Sequence, residues 1–151
     1  MNSPADRLAL LRRRAALIED RAAQMLSAAL SRHEQAEARH AELCRYEAEY
    51  SDRALPTTTG IGTLRHQAAF LARLRDAVRF QAECSRRAAE DVDRVRSRWL
   101  ETHQEVEKLD RLAAQLGREA QQQENRRQAR DMDEAALRLH REGGAALAGA
   151  L

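Results

Sequence analysis

The segment "SDRALPTTTGIGT", Ser51 to Thr63, decides the fold. Pro56, Gly60, Gly62 and a run of threonines make it the one stretch in the body of the chain that opposes a helix. Proline occurs elsewhere only at position 4, so nothing comparable interrupts the sequence on either side. Both flanks are rich in Ala, Leu, Arg, Glu and Gln, all good helix formers. The reading is two long helices joined by one short connection.

Upstream, Ser3-Pro4-Ala5-Asp6 reads as a helix start, with Ser3 as cap, Pro4 in the first helical position and an acid in the first turn. A seven-residue repeat follows. One series is Leu8, Ala15, Ala22, Ala29, Ala36, Leu43 and Tyr50. A second, offset by three, is Leu11, Ile18, Met25, Arg32, Arg39 and Tyr46. Downstream, Leu64, Leu71, Val78, Ser85, Val92, Trp99, Val106 and Ala113 pair with Leu74, Gln81, Ala88, Val95, Thr102, Leu109 and Leu116. Each helix alone would expose its apolar stripe, so the two must fold back on one another. The fold class is all-α: a long antiparallel two-helix coiled-coil hairpin with an extended C-terminal helix. Helix one is expected over about 4–52, the connection over 53–63 and helix two over 64–142, with Gly143-Gly144 ending it and a flexible tail over 143–151. The whole is expected to form a single coiled-coil domain, 1–151. With a bend near residue 57, facing positions add up to about 115, and everything from Leu112 onward overhangs helix one. Cys44 and Cys84 are then too far apart to bridge.

Bulk chemistry excludes several functions. Of the 151 residues 33% are charged and 3% aromatic, yet the net charge is only +2. Acids are interleaved with 25 arginines and the single Lys108, so no segment is the one-signed patch that nucleic-acid binding needs. Arg12-Arg13-Arg14 is the nearest approach, and reads as a solvated face followed by Glu19 and Asp20. No targeting segment and no apolar run long enough for a membrane span is present, so direct membrane insertion is not expected. Cys44 and Cys84 lack metal or redox spacing and suit a reduced, cytosolic protein. The histidines lack the helical spacing of a zinc site. No nucleotide-binding loop or nucleophile elbow occurs, and a two-helix hairpin offers no enclosed pocket. No enzymatic activity, metal or cofactor is expected.

Five aromatics occur in all, and Tyr46, Tyr50 and Phe70 gather near the bend. Aromatics at one end of a helical hairpin serve either as interface anchors or as a cap on its core. Phe80 and Trp99 read as packing residues.

"LCRYEAEY", with Tyr46 and Tyr50 one turn apart, resembles an element of the flagellar FliJ family. Gly60-Ile61, "FLARLRDAV", Trp99 and the charged ending "ENRRQARDMDEAALRLHR" continue the resemblance in order, over nearly the whole chain. The resemblance implies a soluble stalk of a bacterial flagellar (type III) protein export apparatus. Such a stalk links a hexameric export ATPase to the cytosolic domain of the membrane export gate, stimulates the ATPase and escorts export chaperones. It implies a cytoplasmic protein, peripheral at the cytoplasmic face of the inner membrane. By position, gate contact falls to Leu43, Tyr46, Tyr50, Phe70, Leu74 and Ala77, while the family's next position, a histidine, is Gln81 here. We expect contact with the ATPase ring along the overhanging helix, at Arg126, Arg127, Arg130, Asp131, Asp133, Glu134, Arg138 and Arg141. The equivalent stalk of a virulence secretion system and a generic coiled-coil scaffold remain alternatives.

Overall fold

The computed structural model describes residues 3–53 and 55–150. It has two helices, α1 (Pro4–Ser51) and α2 (Ile61–Gly149), and no strand among the described residues. The helices are antiparallel and packed together, and α2, at 89 residues against 48, supplies the extended C-terminal helix. The expected connection (53–63) and tail (143–151) each include a residue outside those described, 54 and 151.

Local chemistry explains the boundaries. Ser3 Oγ accepts from the Asp6 amide at 3.1 Å, and Asp6 Oδ2 accepts from the Ser3 amide at 3.1 Å. This reciprocal capping box satisfies two otherwise orphaned donors at the start of α1. Beyond Ser51, Thr59 folds back on the Pro56 carbonyl through its amide and its hydroxyl. The Gly60 carbonyl then accepts from the Thr63 and Leu64 amides and opens α2. At the far end, the expectation that Gly143-Gly144 stops the helix fails. No described residue has a positive φ, so neither glycine adopts the left-handed cap that ends helices. The alanines and leucine that follow carry α2 on to Gly149.

The chain divides into two compact units. One comprises the residues up to Arg12 and those from Glu107 onward; the other comprises Arg13–Val106.

Within the Arg13–Val106 unit, Ala15, Ala22, Ala29 and Ala36 are the buried centre of α1, and Ala29 is 0% exposed. They meet the α2 seam read from the sequence: Val92 is buried, and Leu71, Leu74, Val78, Gln81, Ser85, Ala88, Val95, Trp99, Thr102 and Val106 are half-buried. The second column of α1 differs from expectation. Ile18, Met25 and Tyr46 are exposed at 44%, 53% and 40%. The inner column lies four residues on from the alanines, not three: Glu19, Leu26, His33, His40 and Glu47 are half-buried. Its polar members earn their places by reaching across or along the seam. Glu19 bonds His103 Nδ1 at 2.8 Å, and Glu47 accepts from Arg75 Nε at 3.2 Å. His40 Nε2 lies 3.5 Å from Cys44 Sγ. Alanine at the centre lets the helices approach closely, so long side chains at the edge lie along the interface with their polar tips free to bond.

Register shifts accordingly. Facing pairs such as Glu19 with His103, Glu47 with Arg75, Tyr50 with Phe70 and Ala36 with Gln81 add up to between 117 and 122, not 115. In the other unit, Arg12 pairs with Asp110 at 2.7 Å. There Ala5, Leu8 and Ala9 lie along a groove with Ala113, Leu116, Gly117 and Ala120. The overhang therefore begins after Ala120 and not at Leu112. Past that point, as far as Arg141, the heptad positions are Gln123, Arg127, Arg130, Glu134, Leu137 and Arg141, so a single leucine is all that remains there of the apolar seam.

Candidate functional site

Two surfaces gather the residues singled out above, one in each unit. The first lies at the bend, within the Arg13–Val106 unit. Tyr50 and Phe70 meet with ring centroids 4.8 Å apart, tilted by 55°, within the range of a favourable aromatic contact. Tyr50 is half-buried, whereas Phe70 keeps 42% of its surface in solvent. Arg53 stacks its guanidinium over the Tyr50 ring at 4.7 Å, a cation–π contact that holds the chain end of α1 against the aromatic pair. Leu43, Leu74 and Ala77 are half-buried in the seam. Tyr46 faces outward, its hydroxyl donating to Glu42 at 3.1 Å and its ring beneath Arg45. The structure thus brings Tyr50 and Phe70 into contact and leaves Tyr46 on a separate, solvent-facing column. Gln81 is occupied, donating to the Ala36 carbonyl at 3.3 Å across the seam.

Sequence reasoning missed part of this surface. An open groove beside the aromatic pair is lined by Tyr50, Arg53, Leu55, Thr63, His66, Gln67 and Phe70. The sequence signal for it was faint: Gln67 and Phe70 are three apart on α2 and so share a face. Two packing assignments separate here. Trp99 does pack, half-buried and stacked on His103 at 5.1 Å. Phe80 does not: it is 70% exposed, because it stands on the outer face of α2 one residue before the seam position Gln81.

The second surface is the C-terminal part of α2. Arg126, Arg127, Arg130, Asp131, Asp133, Glu134, Arg138 and Arg141 are all exposed, as is every described residue from Ala114 onward. A shallow polar depression is lined by Gln123, Arg126, Arg127, Arg130, Asp131 and Glu134. Arg127 lies 3.9 Å from Glu124 and Arg138 3.8 Å from Glu134. Gln128 donates to Glu124 at 3.3 Å. These are local pairs one turn apart, each worth a few tenths of a kcal/mol. They support the helix and leave most of its charged groups available.

One strongly shifted group lies between these surfaces in the sequence. The Arg86 guanidinium, hydrogen-bonded to Glu83 and joined by Arg87, holds the Glu83 carboxyl down to about 2. Arg86 also bonds Glu90, and Glu83 with Glu90 holds its guanidinium charged. Among the described residues no group of His, Cys, Asp and Glu is arranged to hold a metal ion, and no helix is long and apolar enough to cross a membrane.

A family model described as "Flagellar FliJ protein" matches residues 4–145, from the first helical residue to beyond Gly144. The chain belongs to the flagellar FliJ family. No curated protein and no solved structure matches it. As a FliJ-family protein it is related to the stalk of the flagellar type III export apparatus, a family of export-associated and not of catalytic proteins. The match spans both helices and the bend, so the family pattern covers both surfaces just described.

Proposed function

We propose that this FliJ-family chain works as a stalk between two partners, a hexameric export ATPase and the cytosolic domain of the membrane export gate. The observation that carries the reading is the overhang: a helix exposed all round from beyond Ala120 to the end of α2, with basic and acidic side chains interleaved. A helix without an apolar seam does not dock deeply on one surface. It makes many shallow, screened contacts, each worth about 0.2–1 kcal/mol. That suits a part that sits inside a ring without locking to one orientation. Arg126, Arg127, Arg130, Arg138 and Arg141 would meet acidic loops of the ring, and Asp131, Asp133 and Glu134 basic ones. The bend, with Phe70 exposed on Tyr50, has the form of an aromatic anchor for the gate. In this reading the protein stimulates the ATPase, escorts export chaperones and works at the cytoplasmic face of the inner membrane. The flagellar family match favours a flagellar over a virulence apparatus.

The test is a chain ending at Ala120, which keeps the whole paired groove. Stimulation of the ATPase should fall sharply while binding of the gate's cytosolic domain is retained. Stimulation by the full chain should weaken as salt rises. Undiminished stimulation by the shortened chain would overturn the assignment of the overhang.

A further inference from the structure

The slip of the α1 seam leaves a surface that neither proposed partner uses. On α1, within the Arg13–Val106 unit, Leu17, Ile18 and Met25 stand 60%, 44% and 53% exposed. Arg14 and Arg21 are exposed on the column between Leu17 and the Ile18–Met25 pair, and Arg32 continues the Met25 column. Around Arg14 and Arg21 no carboxylate of α1 stands on these columns: Glu19 lies on the seam and Asp20 borders Leu17 on its far side, and only nearer the bend do Glu42 and Glu49 return to the Arg14–Arg21 column. Among the described residues Arg14 and Arg21 form no ion pair, and Arg32 is approached by Asp91 of α2 at 3.8 Å. The even charge mixing seen along the sequence therefore hides a locally basic stretch, Arg14 to Arg21, once the chain is wound into a helix.

We infer that this face is a docking surface for an acidic amphipathic helix of a protein partner. Three observations select that occupant. The exposed apolar side chains recur at helical spacing, which fits an apolar stripe on a second helix laid alongside. The unpaired arginines call for carboxylates on the borders of that stripe, since a planar guanidinium pairs best with a carboxylate. Their position disfavours other ligands. An interfacial membrane helix keeps its cations at the edges of the apolar face, whereas Arg14 and Arg21 stand in the middle of this one. Single-stranded nucleic acid is held by aromatic stacking, and no aromatic stands between Arg14 and Arg45. A second copy of the chain would bring arginine columns against each other.

The experiment uses the full chain and a labelled helical peptide about three heptads long, with leucines at i, i+3, i+4 and i+7 and glutamates on both borders. Fluorescence anisotropy measures binding at moderate salt. The control peptide keeps the leucines and carries lysines for glutamates. The acidic peptide should bind at least about tenfold more tightly than the basic one, as several weak exposed pairs change sign together. The double variant Arg14→Glu and Arg21→Glu should lose about the same factor. The variant Arg79→Glu and Arg96→Glu, with the same change in net charge on α2, should not. Met25→Ser should weaken binding of both peptides while circular dichroism confirms an intact fold. Four results overturn the proposal: equal binding of the two peptides; equal loss from the α2 charge reversal; tighter binding of phosphatidylglycerol vesicles or of DNA than of the acidic peptide; or concentration-dependent self-association abolished by Arg21→Glu.

Discussion

Met25 and Leu26 are neighbours on α1, and their fates on truncation distinguish the two possible seams. Leu26 lies on the half-buried inner column, Met25 on the outer one at 53% exposure. Truncating a fully buried leucine to alanine costs about 2–5 kcal/mol. Leu26 is at the edge of a two-helix interface with solvent on one side, so about 1–2 kcal/mol is expected by scaling the apolar area withdrawn from water. Met25 has surrendered less than half its surface. Its loss on truncation is offset by the better helix propensity of alanine, leaving a net cost below about 0.5 kcal/mol. Ala29, fully enclosed, provides the complementary insertion. Ala29→Leu forces extra methylenes between helices held close by alanine, and should cost about 1–3 kcal/mol. Urea unfolding followed at 222 nm, with the denaturant slope checked for constancy, gives all three values. The order expected is Ala29→Leu and Leu26→Ala well above Met25→Ala. If Met25→Ala costs as much as Leu26→Ala, the seam runs three residues from the alanines and the geometry described here is wrong.

Other consequences can be measured in the same way. His33 has its Nδ1 buried without a partner among the described residues while its other ring nitrogen lies 3.3 Å from Glu37, so His33→Leu should stabilise the chain by about 1 kcal/mol, read as a higher urea midpoint. Phe70→Ala removes the ring packed on Tyr50 and should cost about 1–2 kcal/mol; combined with Leu74→Ala, and in a variant shown to be folded, it should weaken binding of the gate's cytosolic domain. Glu83 is held from 4.5 down to about 2 in the folded chain, so its contribution is complete above pH 4.5 and is lost as pH falls toward 2. The difference in thermal midpoint between the native chain and Glu83→Gln should shrink across that window, and a difference that persists unchanged to pH 2 would refute the pairing.

The second helix was legible almost residue by residue, because its seam positions from Leu71 to Ala113 are mostly apolar and its outer positions mostly charged. The first helix was half legible. Its alanine column stood out, but the column beside it was chosen by counting apolar residues, and Ile18, Met25 and Tyr46 outscore Glu19, His33, His40 and Glu47. Counting fails here for a physical reason. When the centre of an interface is alanine, the facing backbones approach closely and little area remains to bury at the edges. Which edge turns inward is then decided by cross-helix partners such as His103 for Glu19 and Arg75 for Glu47. Those partners are 84 and 28 residues away in the sequence, and only the register brings them together. The aromatic pair at the bend was legible as a cluster, whereas Arg53, His66 and Gln67 became visible only when the connection was folded.

The same edge effect links the fold to its use. A seam that spends its polar residues inward necessarily leaves apolar ones outward, and a two-helix hairpin has no third layer to cover them. Leu17, Ile18 and Met25 are the residue of that exchange on α1. On α2 the opposite happens: past Ala120 the seam positions as far as Arg141 turn polar or charged except for Leu137, and the helix persists because it grows out of a packed one and avoids the cost of nucleation. Its Gln-to-Glu and Arg-to-Glu pairs add a few tenths of a kcal/mol each. Gly143 and Gly144 subtract about 1 kcal/mol each relative to alanine, so opening of this helix should begin at its C-terminal end. Neither exposed stretch adds appreciably to a core of its own. Both are kept as helix by neighbours along the chain, which leaves their side chains free for contacts outside it.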